Sequence, residues 1–108
     1  MGSSKSLYFS EEQNRLAGLS KALSHPARIA ILQYLVKNHT CMVGGLMESL
    51  PLSQSTISQH LKELRSIGIV RGEIEGSSVC YCIDEEKWKE LTEALQGLIF
   101  DVNKTCCP

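Results

Sequence analysis

The run Ser53-Gln54-Ser55-Thr56-Ile57-Ser58-Gln59-His60-Leu61-Lys62 presents small hydroxyls, amides, an imidazole and one Lys, with no carboxylate before Glu63. Groups of short reach and directed hydrogen bonding suit base edges and phosphates in a major groove. At the start of a helix, Ser53, Gln54, Ser55 and Thr56 also offer backbone N–H groups to a phosphate. A merely solvated face more often pairs Glu with Lys four residues apart. Ser53, Gln54, Ser55, Thr56, Ser58, Gln59, His60 and Lys62 are therefore the candidate DNA-binding residues. A ribbon with a Gly-Ser-Ser tip follows, and Arg71, Ser77 and Ser78 are the candidates on it. Glu73 and Glu75 argue against the whole ribbon lying on DNA.

Five cysteines form the second chemical set: Cys41, Cys80, Cys82, Cys106 and Cys107. In a reducing compartment they read as metal ligands or redox thiols rather than as bridges. Neither Cys80/Cys82 nor Cys106/Cys107 is well placed for an unstrained disulfide within the pair. Cys80 and Cys82 share one face of a strand, where they either pinch a soft ion or pack as inert thiols. His25, before Pro26, reads as a helix-start residue, and His39 as a loop residue that could join a site at Cys41. No Ser–His–Asp or Cys–His spacing and no Gly-rich phosphate loop is present, so an enzyme is not expected.

The elements that must position these groups are legible in the periodicity. Ser10-Glu11-Glu12-Gln13 fits a capping box, and Leu16, Leu19 and Leu23 then share one face of a helix over about Glu11 to Leu23. Pro26 opens a second helix, with Ile29, Leu32, Leu35 and Val36 as its buried stripe. A short third helix is expected over Val43 to Leu50. A turn at Pro51-Leu52-Ser53 leads to an amphipathic helix with Ile57, Leu61, Leu64 and Ile67 inward, stopped by Gly68. From Val70 to Ile83 the period drops to two around Glu75-Gly76-Ser77-Ser78, which marks a β-hairpin. Asp84 caps a final helix bearing Trp88, Leu91, Leu95 and Leu98. The expected fold is mainly α with one small hairpin, in the order α1-α2-α3-α4-β1-β2-α5, a winged helix-turn-helix.

Composition agrees. With 108 residues, 43% apolar and 21% charged, the chain has the size and balance of one globular domain. That domain spans 1–108, with an N-terminal arm at 1–10 and a Cys-containing tail at 103–108. No apolar run approaches a membrane span of roughly 20 residues. Met1-Gly2-Ser3-Ser4-Lys5-Ser6 lacks the apolar core of a secretory leader, so the cytoplasm is the expected compartment. The net charge of −1 hides an asymmetry: Gln13 to Gly72 carries seven basic and two acidic residues, a balance of +5. The middle of the chain is therefore suited to an anion and the ends are not.

Two motifs in order, Leu23-Ser24-His25-Pro26-Ala27-Arg28-Ile29-Ala30-Ile31-Leu32 and Leu52-Ser53 through Glu63-Leu64, resemble the ArsR/SmtB family of bacterial repressors. So does Gly68-Ile69-Val70 leading into Gly76-Ser77-Ser78-Val79-Cys80-Tyr81. The resemblance implies a homodimer that binds an inverted-repeat operator in double-stranded DNA and releases it when an inducer binds. Arsenite, antimonite, zinc, cadmium, nickel, copper or reactive sulfur species serve in different members. DNA binding itself would need no cofactor. The family's arsenic-type Cys-X-Cys is incomplete here, because Val43 stands where a second thiol would pair with Cys41. Cys106 and Cys107 would then complete a thiolate set with Cys41 for As(III), Sb(III) or another soft ion. Cys80 and Cys82 are the alternative. The family's zinc site on the final helix would need a His that this helix lacks.

The resulting expectation is a dimeric repressor with its interface at Leu16, Leu19, Leu23, Trp88, Leu91, Leu95 and Leu98. Two rivals remain: a repressor of the same fold that senses oxidation or reactive sulfur through its thiols, and a protein-interaction module that never touches DNA.

Overall fold

Ser10 starts the first helix by a reciprocal cap. Its Oγ accepts the Gln13 N–H at 3.1 Å while Gln13 Oε1 accepts the Ser10 N–H at 2.9 Å. The computed structural model, which describes residues 7–38, 43–75 and 78–100, gives α1 as Glu11–Ser20. The α-helix stops short of the expected Leu23, because Lys21 turns its N–H to the Gly18 carbonyl and Lys21–Leu23 tightens to a 3-10 turn. In that turn the Lys21 carbonyl accepts the Ser24 N–H at 3.2 Å and the Ser24 hydroxyl at 2.7 Å.

Helix α2 covers Pro26–Asn38, α3 Val43–Ser49 and α4 Gln54–Ile67. The buried stripe of α2 differs from the expectation. Ala27, Ile31, Leu32 and Leu35 are buried, whereas Ile29 and Val36 stand 39% and 41% exposed. Apolar residues surround most of α2, so its spacing alone cannot choose a face; the position of α4 does. On α4 the choice is unambiguous, and Ile57, Leu61 and Leu64 are buried as expected.

Gly68 ends α4 at φ +95°, a left-handed conformation that suits a residue without a Cβ. Its N–H reaches the Arg65 carbonyl and the Ile69 N–H the Leu64 carbonyl, closing a Schellman turn. The chain then enters β1, Val70–Glu75, antiparallel to β2, Ser78–Ile83. Val70 pairs with Ile83, Gly72 with Tyr81 and Glu75 with Ser78. The Tyr81 ring lies over Gly72, where any Cβ would collide with it. Asp84 donates its N–H to the Ile69 carbonyl at 2.9 Å and caps α5, Glu85–Phe100, through Oδ1 on the Lys87 N–H at 3.0 Å. The order is the expected α1-α2-α3-α4-β1-β2-α5, with the 3-10 turn added.

One core holds these elements, centred on Ile31, Leu46, Ile57, Leu61, Leu64 and Leu91. Burying each such side chain contributes roughly 1.5–3 kcal/mol. The expected dimer residues divide here. Leu19 and Leu91 are buried in the chain's own core at 5% and 1% exposure, so they present no surface to a partner. The reason is that α1 packs on α5 within the chain. Leu23, Trp88 and Leu95 are half-buried against the same core, Leu16 is half-buried, and Leu98 is exposed. Exposed apolar side chains also stand at Leu7, Tyr8, Phe9 and Ile99.

Candidate nucleic-acid interface

Ser53 organises the start of α4. Its Oγ accepts the Thr56 N–H at 3.3 Å and lies 2.9 Å from Thr56 Oγ1 and 3.2 Å from Ser55 Oγ. Three hydroxyls thus gather at the positive end of the helix dipole, with no acidic residue in the first turn. At 3.6 residues per turn, positions 54, 55, 58, 59 and 62 fall on one face, opposite the buried Ile57 and Leu64. Ser53, Gln54, Ser55, Gln59 and Lys62 are exposed; Thr56 and Ser58 are half-buried. The platform beneath, built on Ile57, Leu61 and Leu64, fixes this face relative to the rest of the chain.

His60 departs from that set. It sits three residues after Ile57 and four before Leu64, on the inward side of the helix. There its Nδ1 accepts the Arg28 Nε–H at 3.4 Å, and its ring centroid lies 4.7 Å from that of His25. Burial, with His25 and Arg28 beside it, holds the His60 pKa below its ordinary value, although Glu63 pulls the other way. His25 keeps its expected role at the start of α2, accepting the Ala27 N–H through Nδ1 at 3.0 Å.

Arg65, absent from the sequence-based set, lies three residues beyond Lys62 on the same face and is exposed. Helical spacing was the available signal. Arg71 on β1 is 67% exposed and lies 3.8 Å from Asp84 Oδ2. Ser77 lies outside the described residues, as do Cys41, Cys106, Cys107 and His39. Ser78 opens β2, and its side chain and that of Cys80 also lie outside the described set. Cys82 is half-buried on β2. Among the described residues no group of three or more His, Cys, Asp or Glu could hold a metal ion. No helix among them is long and apolar enough to cross a membrane.

A hydroxyl-capped helix with an acid-free first turn, packed on α2 and followed by a two-stranded ribbon, defines a winged helix-turn-helix DNA-binding protein. Residues 25–71 match the model of the bacterial regulatory protein, arsR family. The chain is 37% identical over 86 residues to the transcriptional activator HlyU of Vibrio cholerae, covering 80% of this chain and 79% of that one. The HlyU structure superposes with a TM-score of 0.68 at 34% identity, over 83% of this chain and 97% of that one. The biofilm growth-associated repressor of Xylella fastidiosa is 37% identical over 82 residues, covering 76% and 71% of the two chains. A crystal structure of a possible transcriptional regulator for arsenical resistance gives a TM-score of 0.67 at 26% identity, covering 74% and 82%. The chain belongs to the arsR family: it is a DNA-binding transcriptional regulator and not an enzyme.

Proposed function

We propose that the chain is a homodimeric repressor that grips an inverted-repeat operator with two copies of α4 and lets go when a thiophilic inducer binds. The observation that carries the reading is the outward, acid-free face from Ser53 to Lys62, mounted on a buried apolar underside. A two-fold dimer would set two such faces one DNA turn, roughly 34 Å, apart, hence a palindromic site in the cytoplasm. Apolar side chains left exposed just before α1, at Leu7, Tyr8 and Phe9, and at the end of α5, at Leu98 and Ile99, support pairing through these two helices. Leu16, Leu23, Trp88 and Leu95, all half-buried, are assigned to the same interface, while Leu19 and Leu91 stay inside.

DNA contacts are assigned to Ser53, Gln54, Ser55, Thr56, Ser58, Gln59 and Lys62, with Arg65 added, and to Arg71, Ser77 and Ser78 on the wing. The inducer is a soft ion, arsenite or antimonite foremost, held by thiolates of Cys41, Cys106 and Cys107. Ligation stabilises the DNA-free dimer over the bound one; a coupling of about 1–3 kcal/mol is the usual scale. Titrating arsenite against the operator-bound protein tests it. Release is expected in the wild type and lost in the Cys106→Ser/Cys107→Ser double variant; equal release in both removes the tail from the site. Release by peroxide or polysulfide, reversed by reductant and unmatched by arsenite, assigns the thiols to redox sensing instead. Binding to no duplex at any salt concentration assigns the chain to protein interaction.

A further inference from the structure

His60 and Arg28 join the two helices that decide where the reading face points. Arg28, on α2, is half-buried and spreads its guanidinium over three partners. Nη1 donates to the Lys21 carbonyl at 2.7 Å and to Ser24 Oγ at 3.3 Å; Nε donates to His60 Nδ1 at 3.4 Å. One rigid fork thus ties the 3-10 turn, the α2 entry and the middle of α4. His25 leans on His60 from the same side, its own Nδ1 occupied by the α2 cap. The bond from Arg28 Nε requires His60 to present a bare Nδ1, and the α2 cap requires the same of His25.

We infer that Arg28 and His60 are positioning residues which hold α4 in its DNA-reading orientation, and that protonation of His60 releases this clamp and weakens operator binding. The inference rests on α4 being the reading helix, and adds to that reading how the helix is held. A proton on Nδ1 removes the acceptor for Arg28 and places a positive charge beside the Arg28 guanidinium and the His25 ring. Among the described residues the carboxylate that favours the proton is Glu63, on α4 itself. The direction of the shift agrees: the clamped arrangement disfavours the charged ring. Because the clamped state binds fewer protons, it is fully favoured above the ordinary histidine value near 6.5 and lost as pH falls below it.

This direction is the reverse of simple electrostatics, in which added positive charge on a DNA-binding surface tightens binding to phosphate. The experiment uses the full chain and a duplex selected by it from a random-sequence pool at about pH 8. Affinity is then measured by fluorescence anisotropy down to about pH 5.5, at constant salt, for wild type, His60→Gln and Arg28→Gln. Wild-type affinity should fall roughly five- to tenfold over that range. His60→Gln keeps an acceptor for Arg28 but cannot titrate, so its profile, relative to its own value at pH 8, should be flat. Arg28→Gln should weaken binding at pH 8 with an unchanged slope of log K against log salt, because the Arg28 guanidinium is engaged by Lys21, Ser24 and His60 within the chain. Affinity that rises or stays level on acidification, or an equal loss in His60→Gln, overturns the proposal. So does a salt slope in Arg28→Gln reduced by about one per protomer. If no duplex is selected at all, the DNA-reading role of α4 falls as well, so the two failures are distinguishable.

Discussion

Arg71 Nε lies 3.8 Å from Asp84 Oδ2, so the first strand of the wing is linked to the residue that caps α5. An ion pair as open as this one contributes little to stability, about 0–1 kcal/mol. Its consequence is for binding, since Arg71 must exchange Asp84 for a phosphate. Asp84→Asn keeps a good cap and removes the competing charge. Operator affinity should rise a few-fold, with the melting temperature nearly unchanged. Arg71→Gln should lower affinity for all sequences alike and reduce the salt slope by about one per protomer; an unchanged slope would remove Arg71 from the interface.

Ser53 holds both the helix start and the reading face, and two substitutions separate these roles. Ser53→Ala loses the bond to the Thr56 N–H and should cost about 1 kcal/mol in urea unfolding. Ser53→Asp restores the cap and suits the helix dipole, so stability should return to the wild-type value. Yet it sets a carboxylate against phosphate, and operator affinity should drop more than tenfold. Retained affinity in a stably folded Ser53→Asp protein would place DNA elsewhere.

Arg65 shares the exposed face with Lys62. Arg65→Gln and Lys62→Gln should each flatten the salt dependence by about one ion per protomer and leave sequence preference intact. Altered base preference in either variant would show that the side chain reads bases rather than phosphate.

Gly68 is the hinge between the reading helix and the wing, at φ +95° with the Lys87 side chain packed over it. Gly68→Ala forces a Cβ into the left-handed region and should cost about 1 kcal/mol or more of stability, measured by denaturant midpoint. Gly68→Asn should recover part of that loss, since Asn tolerates this conformation.

The features legible in the sequence were those set by neighbours in the chain. The caps at Ser10 and Asp84, the stop at Gly68, the pleated alternation of the hairpin and the buried edge of α4 all depend on spacing of a few residues. Features that depend on packing at a distance were not legible. Helix α2 is apolar on more than one side, so Ile29 and Val36 were expected inside until the position of α4 selected Ile31 and Ala27. Leu19 and Leu91 looked like interface residues, because an apolar stripe does not say whether its partner lies in the same chain. His60 was grouped with the polar face by its chemical type, although its spacing from Ile57 and Leu64 already placed it inward against Arg28. The thiol set proposed for the inducer draws on Cys41, Cys106 and Cys107, beyond the described residues.

Gln59 provides the most direct test, because it is exposed in the middle of the outward face and is not one of the core residues. The measurement is the affinity of the full chain for a duplex from upstream of its own coding sequence, over about 50 to 200 mM salt, for wild type and Gln59→Glu. Wild-type affinity should fall by orders of magnitude across that range, with two chains bound per site, and Gln59→Glu should bind at least tenfold more weakly while melting normally. Equal affinity in both proteins, or binding indifferent to salt, would contradict a reading face on α4.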